Sequence, residues 1–207
     1  MKVYNIEQGT SEWHGVRAGK ITGSGIAKLM QSGRSKKQMF GTGAISYINE
    51  KVAEIVTGDV VVSGGSSATR WGNNLEKEAI RRFEYERFVE VKAVGFIEVD
   101  AYTGCSPDGM LDGAIIEVKC PYNTDNHIET VITGCVPPQY VPQVQFNMWC
   151  CGVDTCFFIS YDPRVINTPK QVKIIEVKKN VEYLETMLFR LDKAIKIIEE
   201  RVAEFEA

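Results

Sequence analysis

The residues best suited to chemistry in this sequence are two acids and a lysine, Asp108, Glu117 and Lys119. Neighbouring carboxylates repel each other unless a cation neutralises them, and Mg²⁺ binds carboxylate oxygens well. An ammonium group beside the cation can orient a water molecule or stabilise the charge that develops at phosphorus. These residue types therefore predict a metal-dependent phosphodiesterase site.

A β-hairpin is the element that must position these three side chains. Asp112-Gly113 predicts a two-residue type I′ turn, in which both central residues have φ > 0. Counting back from that turn places Asp108 opposite Glu117, with their Cβ atoms about 5 Å apart. Lys119 follows on the same face, because side chains alternate along a strand.

A surface turn with solvated charges is the alternative, because most acidic residues are exposed. The strand is nevertheless largely apolar at Ile115, Ile116 and Val118, so that Glu117 and Lys119 interrupt a buried run. Charges seldom lie in such a run without a partner, which favours the metal site.

Size, composition and charge narrow the class of protein. The chain has 207 residues, 44% of them hydrophobic and 25% charged, which predicts one domain spanning residues 1–207. No apolar run is long enough to span a membrane and no secretory signal pattern is present, so we expect a cytoplasmic protein. A net charge of −3 does not indicate nucleic-acid binding, although a local basic patch would permit it.

The six cysteines do not have the spacing of a known metal site. They include no CxxC pair, and the two histidines do not complete a zinc finger. Reduced, largely buried thiols are therefore expected. The grouping of Cys150, Cys151 and Cys156 leaves an iron–sulfur site as a minor alternative.

Alternating strand and helix patterns predict an α/β fold, a central mixed β-sheet flanked by helices. Strand patterns occur at 94–99, 103–106, 115–120, 157–161 and 172–177. Helix patterns occur at 11–17, 24–31, 42–57, 73–88, 123–133 and 138–151. Asn180 is the expected N-cap of a long final helix, whose heptad-like apolar stripe we expect to pack along the domain's own flank.

Two polar residues on the predicted helices each have two interpretations. Glu76 falls within the apolar face of its helix, where it either faces a cleft or is an acid attracted by the helix N-terminus. Gln143 shares a helix face with Asn147. Its amide either positions a water or phosphate, or belongs to an ordinary polar face.

Basic and hydroxyl residues near the N-terminus have the chemistry to bind phosphate. Arg17, Lys20 and Ser24 lie close together in the sequence. The segment TGSG at 22–25, just before a predicted helix, could present backbone N–H groups and a hydroxyl to a phosphate, although simple capping is the commoner use. Arg34, in a basic loop, suits contacts to a duplex backbone.

Taken together, these motifs resemble those of the phage λ exonuclease and YqaJ-type viral recombinase nucleases of the PD-(D/E)xK superfamily. The Asp…Glu-x-Lys motif alone is weakly specific, whereas six segments in the same order are strongly specific. The segments are EWHGVR at 12–17 with ITGS at 21–24, WG at 71–72 with Glu76, CSPDG at 105–109, EVKCP at 117–121, QVQFNMW at 143–149 and YDPR at 161–164.

The resemblance implies a restriction-endonuclease-like core and a site with two Mg²⁺ ions, for which Mn²⁺ would substitute. It assigns metal binding to Asp108, Glu117, Glu76 and the Val118 carbonyl. Lys119 would activate or orient the attacking water, and Gln143 would help to orient that water or the lysine. Attack of water in line with the leaving oxygen would then hydrolyse the phosphodiester.

The same resemblance implies processive degradation of one strand of double-stranded DNA from its 5′ end, giving mononucleotides and a 3′ overhang. Arg17, Ser24 and Ser106 would form a pocket for the 5′-phosphate, and Arg34 would touch DNA. The family also carries an additional upstream acid, for which Glu98 and Asp100 are the two candidates here.

The resemblance further implies a toroidal homotrimer. Such a protein would work beside a single-strand annealing protein in phage-type recombination, in a bacterial cell. A ring would let a weakly acidic subunit act processively. The alternatives are another nuclease of the superfamily, either an endonuclease or an iron–sulfur exonuclease, and a non-catalytic scaffold that binds DNA ends.

Overall fold

Seven strands in two sheets organise the residues that the computed structural model describes, which are 1–33, 38–60 and 65–207. The smaller sheet is antiparallel with the order β1-β2-β3, and the larger is mixed with the order β4-β5-β6-β7. The strands are β1 (Lys2–Tyr4), β2 (Phe96–Glu98), β3 (Gly104–Cys105), β4 (Gly109–Leu111), β5 (Ala114–Lys119), β6 (Thr155–Tyr161) and β7 (Val172–Lys178). Only β5 and β6 run parallel within the larger sheet.

Helices flank the sheets, as the sequence predicted. They are α1 (Ser11–Arg17), α2 (Gly23–Leu29), α3 (Thr42–Thr57), α4 (Ser67–Arg87), α5 (Thr124–Thr133), α6 (Val141–Cys151) and α7 (Val181–Glu206). A short 3₁₀ turn spans Thr168–Lys170. In the described part of the chain, no helix is both long and apolar enough to cross a bilayer.

The hairpin β4–β5 has the predicted register but a different turn. Leu111 pairs with Ala114 and Gly109 with Ile116, as counted from the sequence. The type I′ assignment was wrong, because Gly113 has a φ of +77° whereas Asp112 does not have a positive φ. A positive φ at the second central residue alone is the pattern of a type II turn, which spares Asp112 the left-handed conformation.

Packing on the two faces of the larger sheet follows the alternation of side chains along β5 and β6. Ile115 and Phe158 belong to a core cluster that includes Phe146 of α6. Their neighbours Ile116 and Ile159 belong to a second cluster with residues of α4. The sheet therefore lies between α6 and α4, and the end of β5 is accessible to polar side chains from both helices.

The long final helix packs on the protein's own core, as expected. Asn180 caps it through a side-chain oxygen that accepts the Tyr183 N–H at 2.9 Å. Its buried residues are Leu184, Met187, Leu191, Ala194 and Ile198. These side chains contact α2, α3 and α6.

Two elements differ from the sequence-based expectation. Helix α4 begins at Ser67 rather than at position 73, because Ser66 caps it by accepting the Thr69 N–H at 3.1 Å. Strand β1 was not predicted, since its three residues are too few for a periodic pattern. It pairs with β2, so that β2 and β3 form the smaller sheet instead of joining the central one.

The six cysteines are free thiols, and four of them are buried, as the composition suggested. Cys105 on β3 and Cys151 on α6 approach each other with Sγ atoms 3.5 Å apart. Among the described residues, no set of cysteines forms a metal cage.

Candidate active site

Glu117 on β5 is completely buried, and polar side chains contact both of its carboxylate oxygens. Lys119 Nζ and Gln143 Nε2 each donate to Oε1 at 2.5 Å, and Asn147 Nδ2 donates to Oε2 at 3.0 Å. Both amides come from α6 at positions i and i+4, which share one helix face. The packing of α6 on the sheet therefore sets the direction in which Glu117 points.

Asp108 lies beside this carboxylate at the start of the hairpin. Its Oδ2 accepts the Val118 N–H at 2.6 Å, so the backbone of β5 orients it. Burial and the nearby Glu117 carboxylate raise the pKa of Asp108 well above its usual range, although Lys119 opposes this. A positive charge placed beside Asp108 would therefore favour its ionised form.

Glu76 on α4 reaches the same place from the other side of the sheet. It lines an open cleft of about 350 Å³ together with Asp108, Val118 and Lys119. Burial raises the pKa of Glu76; Lys119 opposes this effect, and the Glu117 carboxylate makes a smaller contribution in the same direction as burial. Of the two interpretations of Glu76, this position agrees with a carboxylate that faces a cleft.

The acidic residues at the cleft fit a hard divalent cation. Burial is the main cause of the raised pKa values of Asp108 and Glu76, and a bound cation would favour the charged form of both carboxylates. Among the described residues, no three His, Cys, Asp or Glu side chains form a ready-made cage. Mg²⁺ does not require one, because it is usually held by one or two carboxylates, water and substrate phosphate.

Lys119 is the cation that the site already contains. Burial alone would lower its pKa, but Glu117 and Asp108 outweigh burial and raise the pKa of Lys119. Its Nζ also lies 5.2 Å from the centre of the Tyr140 ring, on the wall of the cleft. This geometry favours a protonated lysine that stabilises negative charge over one that takes up a proton.

A second polar group joins α1 to the segment that precedes Asp108. Ser106 Oγ accepts from Arg17 Nη1 and from Trp13 Nε1, both at 3.0 Å. The Arg17 guanidinium lies over the Trp13 ring, 3.8 Å from its centre. Burial lowers the pKa of Arg17 to about 10, so it stays charged at neutral pH. The structure thus brings Arg17 and Ser106 together two residues from Asp108.

The other predicted substrate residues are less closely grouped. Ser24 is exposed in the first turn of α2, and its hydroxyl is 3.3 Å from the Thr22 hydroxyl. That hydrogen bond does not join it to Arg17 or Ser106. Arg34 lies outside the described residues.

Neither candidate for an additional upstream acid joins the cleft. Glu98 pairs with Lys20 at 3.4 Å and accepts from Tyr4 at 3.2 Å. Asp100 accepts the Tyr102 N–H at 2.8 Å within a turn. The carboxylates of the site are therefore Glu76, Asp108 and Glu117.

Arg164 belongs to the YDPR segment at 161–164, but no role was predicted for it. The Asp162 carboxylate is completely buried and accepts from Arg164 Nε and Nη2, each at 2.8 Å. The same guanidinium donates to the carbonyls of Pro121 and Tyr122 at 3.0 Å and lies 4.3 Å from the centre of the Trp71 ring. It thereby joins α4 to the loop that follows Lys119.

Asn147 and Trp13 also contribute more than their sequence positions indicated. Each lies four residues from a predicted site residue on the same helix, Gln143 and Arg17 respectively. That spacing was a usable signal, because residues at i and i+4 face the same way. Their partners could not be predicted, since these belong to other elements.

Comparisons with known proteins identify the family and the fold of the chain. Residues 12–154 match the model of the YqaJ-like viral recombinase domain. The structure is similar to the alkaline exonuclease LHK-Exo from Laribacter hongkongensis, with a TM-score of 0.85, 30% identity and coverage of 95% of this chain and 96% of that one. LHK-Exo in complex with dAMP is also similar, with a TM-score of 0.84, 31% identity and the same coverage.

A phage-related exonuclease from Haemophilus somnus 129PT shares the fold, with a TM-score of 0.69 and 19% identity over 90% of this chain and 96% of that one. No curated protein sequence matches the chain. These similarities confirm the restriction-endonuclease-like fold. Because the domain match spans more than half of the sequence, the chain belongs to the YqaJ-like viral recombinase domain family.

Proposed function

We propose that this protein is a Mg²⁺-dependent, processive 5′-to-3′ exonuclease that acts on the ends of double-stranded DNA. Its products would be mononucleotides and a 3′ single-stranded overhang for strand annealing. Membership of the family and similarity to alkaline exonucleases support a nuclease function in recombination. The observation that carries the proposal is the buried Glu117 carboxylate, held beside Asp108 and Lys119 at an open cleft.

The residues at the site would have different roles in phosphodiester hydrolysis. Asp108, Glu117, Glu76 and the Val118 carbonyl would hold two Mg²⁺ ions. When bound, these ions supply Lewis-acid stabilisation of negative charge on the phosphate. Gln143 donates a hydrogen bond to Glu117 and would keep this carboxylate in place, and the Lys119 ammonium would stabilise the negative charge that develops in the transition state.

Recognition of the DNA end is assigned to Arg17, Ser106 and Ser24. Trp13 holds both Arg17 and Ser106, so that a charged fork and a hydroxyl are organised before the substrate arrives. Arginine can bind phosphate through two parallel N–H groups, and a terminal phosphate offers it more negative charge and one more free oxygen than an internal phosphodiester. The distance of two residues from Ser106 to Asp108 would place the first phosphodiester at the metal site.

A ring-shaped homotrimer would explain processivity in a subunit with a net charge of −3, because DNA enclosed by a ring does not need strong electrostatic attraction. The proposed partners are duplex DNA ends and a single-strand annealing protein. Size-exclusion chromatography with light scattering tests the trimer directly.

The experiment that tests the activity uses linear duplex DNA labelled separately at each end, with and without a 5′-phosphate, in Mg²⁺. Progressive loss of the 5′-phosphorylated strand with closed circles intact is the expected result. Asp108→Ala and Lys119→Ala should abolish cleavage but retain the fold and DNA binding. Internal cuts would indicate an endonuclease, and binding without cleavage in any divalent metal would indicate an end-binding scaffold.

A further inference from the structure

The Asn147 amide nitrogen has a hydrogen-bond partner, whereas its amide oxygen has none among the described residues. The residue is 1% exposed, and its Nδ2 donates to Glu117 Oε2 at 3.0 Å. A carboxylate only accepts hydrogen bonds, so the amide must present its nitrogen to Glu117 and its oxygen to the opposite side. Among the described residues, that Oδ1 is one of the few buried side-chain atoms with no hydrogen-bond partner.

Gly23 lies against this oxygen. A Cβ atom built on Gly23 would be 2.2 Å from Asn147 Oδ1 and 3.0 Å from its Cγ, and the nearest atoms all belong to Asn147. Gly23 does not have a positive φ. Glycine is therefore required here for the space that Asn147 occupies, and not for the backbone conformation.

The segment around Gly23 is itself tied to the rest of the protein. The Thr22 N–H donates to Tyr47 Oη at 3.2 Å, so a side chain of α3 holds the segment. Ser24, the next residue, presents its hydroxyl at the surface. A displacement of Ser24 would thus move Gly23 against the amide that holds Glu117.

We propose that Asn147 is a positioning residue that couples the segment 22–24 to the Glu117 carboxylate. A terminal phosphate that engages Ser24 would fix this segment, and the contact between Gly23 and Asn147 would then fix the direction of Glu117. The inference rests on the proposed function, since it takes Glu117 as a metal ligand and Ser24 as part of the phosphate pocket. It adds a reason why the protein would cleave poorly at ends without a phosphate.

Mn²⁺ binding without DNA, followed by electron paramagnetic resonance, tests the coupling independently of nuclease activity. We expect Gly23→Ala to weaken Mn²⁺ affinity about 10-fold, as changes to groups that orient a metal ligand do. An Asn147→Ala background removes the three atoms that lie nearest to the added methyl. Gly23→Ala should then change the affinity by less than about twofold.

An equal loss of Mn²⁺ affinity from Gly23→Ala in both backgrounds would overturn the coupling. Gly43→Ala is the matched control, because among the described residues a Cβ there would meet only Gln31 Oε1, at 3.9 Å. If Asn147→Ala does not fold, Asn147→Ser keeps a small hydrogen-bond donor and replaces it. Wild-type protein that binds no Mn²⁺ would overturn the proposed metal site and this inference with it.

Cleavage rates on 5′-phosphate and 5′-hydroxyl ends supply the second readout. Asn147→Ala should lower the ratio of the two rates, because Glu117 no longer responds to the occupied pocket. Ser24→Ala should lower the ratio and leave Mn²⁺ affinity unchanged. Equal loss on both ends in Asn147→Ala would show that Asn147 only holds Glu117 in place and would overturn the link to the phosphate.

Discussion

Gln143 Nε2 on α6 lies 2.5 Å from Glu117 Oε1, the same oxygen that accepts from Lys119. The helix thus shares one buried carboxylate oxygen with the lysine of the strand. Removal of the amide would leave Lys119 to hold that oxygen alone, and the carboxylate would turn toward the ammonium.

We therefore expect Gln143→Ala to reduce the single-turnover cleavage rate about 10- to 100-fold in saturating Mg²⁺. Gln143→Glu keeps the size of the side chain but places a second carboxylate against Glu117, so its loss should be larger. Rapid-quench kinetics measure both rates, and circular dichroism checks the fold. A rate for Gln143→Ala that matches the wild type would show that the amide has no part in the reaction.

The charges around Asp108 predict that Asp108→Asn has opposite effects on the melting temperature in the absence and in the presence of metal. The pKa of Asp108 is raised by burial and by Glu117, which means that its charged form destabilises the folded protein at neutral pH. Asp108→Asn can still accept the Val118 N–H through its amide oxygen. In EDTA we expect this variant to melt at or above the wild-type temperature.

In Mg²⁺ the order should reverse. A ligand present at 100 times its Kd stabilises a folded protein by about 2.7 kcal/mol, and Asp108→Asn should lose most of that gain. Asp112→Asn is the matched control, because its carboxylate is exposed in the turn of the same hairpin. Scanning calorimetry in both buffers provides the test. Equal stabilisation of Asp108→Asn and wild type by Mg²⁺ would exclude Asp108 as a ligand.

Substitution of Arg17 should selectively lower the cleavage rate of one kind of DNA end. Hydrogen bonds to a charged group contribute about 1.5–3 kcal/mol, so Arg17→Ala should lower cleavage of 5′-phosphorylated ends about 10- to 100-fold. Cleavage of 5′-hydroxyl ends should change little. Arg17→Lys keeps the charge but not the fork, and should recover only part of the preference. Equal losses on both substrates would argue against a phosphate pocket at Arg17.

The parts of the site that could be predicted from the sequence are those whose residues lie within one hairpin or one helix. Asp108 and Glu117 belong to one hairpin, and the period of two along a strand places Lys119 beside Glu117 without reference to the rest of the fold. The spacing of four in α6 likewise placed Gln143 and Asn147 on one face. These relations follow from the geometry of single elements.

Contacts between distant elements could not be read in the same way. Nothing local shows that α6 turns its amides toward Glu117, because that direction follows from how Phe146 and Ile115 pack in a shared core. The pairing of β1 with β2 joins positions more than ninety residues apart, and its three residues carry no periodicity. Such features follow from tertiary packing, and the pattern within a single segment does not predict which distant segment it contacts.

Arg164 makes contacts of this kind between distant elements, and we expect their loss to lower the free energy of unfolding. Its guanidinium holds the buried Asp162 and the carbonyls of Pro121 and Tyr122 while it stacks on Trp71. Loss of a buried charge's partner costs about 3–5 kcal/mol. Because the Arg164 side chain is 39% exposed, solvent reduces this cost, and we expect about 1–3 kcal/mol for Arg164→Ala.

The double variant Asp162→Asn with Arg164→Ala separates the lost ion pair from the lost carbonyl contacts. With the carboxylate neutralised, the double variant should be more stable than Arg164→Ala alone, since no buried charge is left without a partner. Urea denaturation measures the free energy of unfolding of both proteins. If the double variant is instead the less stable of the two, Arg164 acts through the Pro121 and Tyr122 carbonyls and the ring of Trp71, and Asp162 stabilises the fold without it.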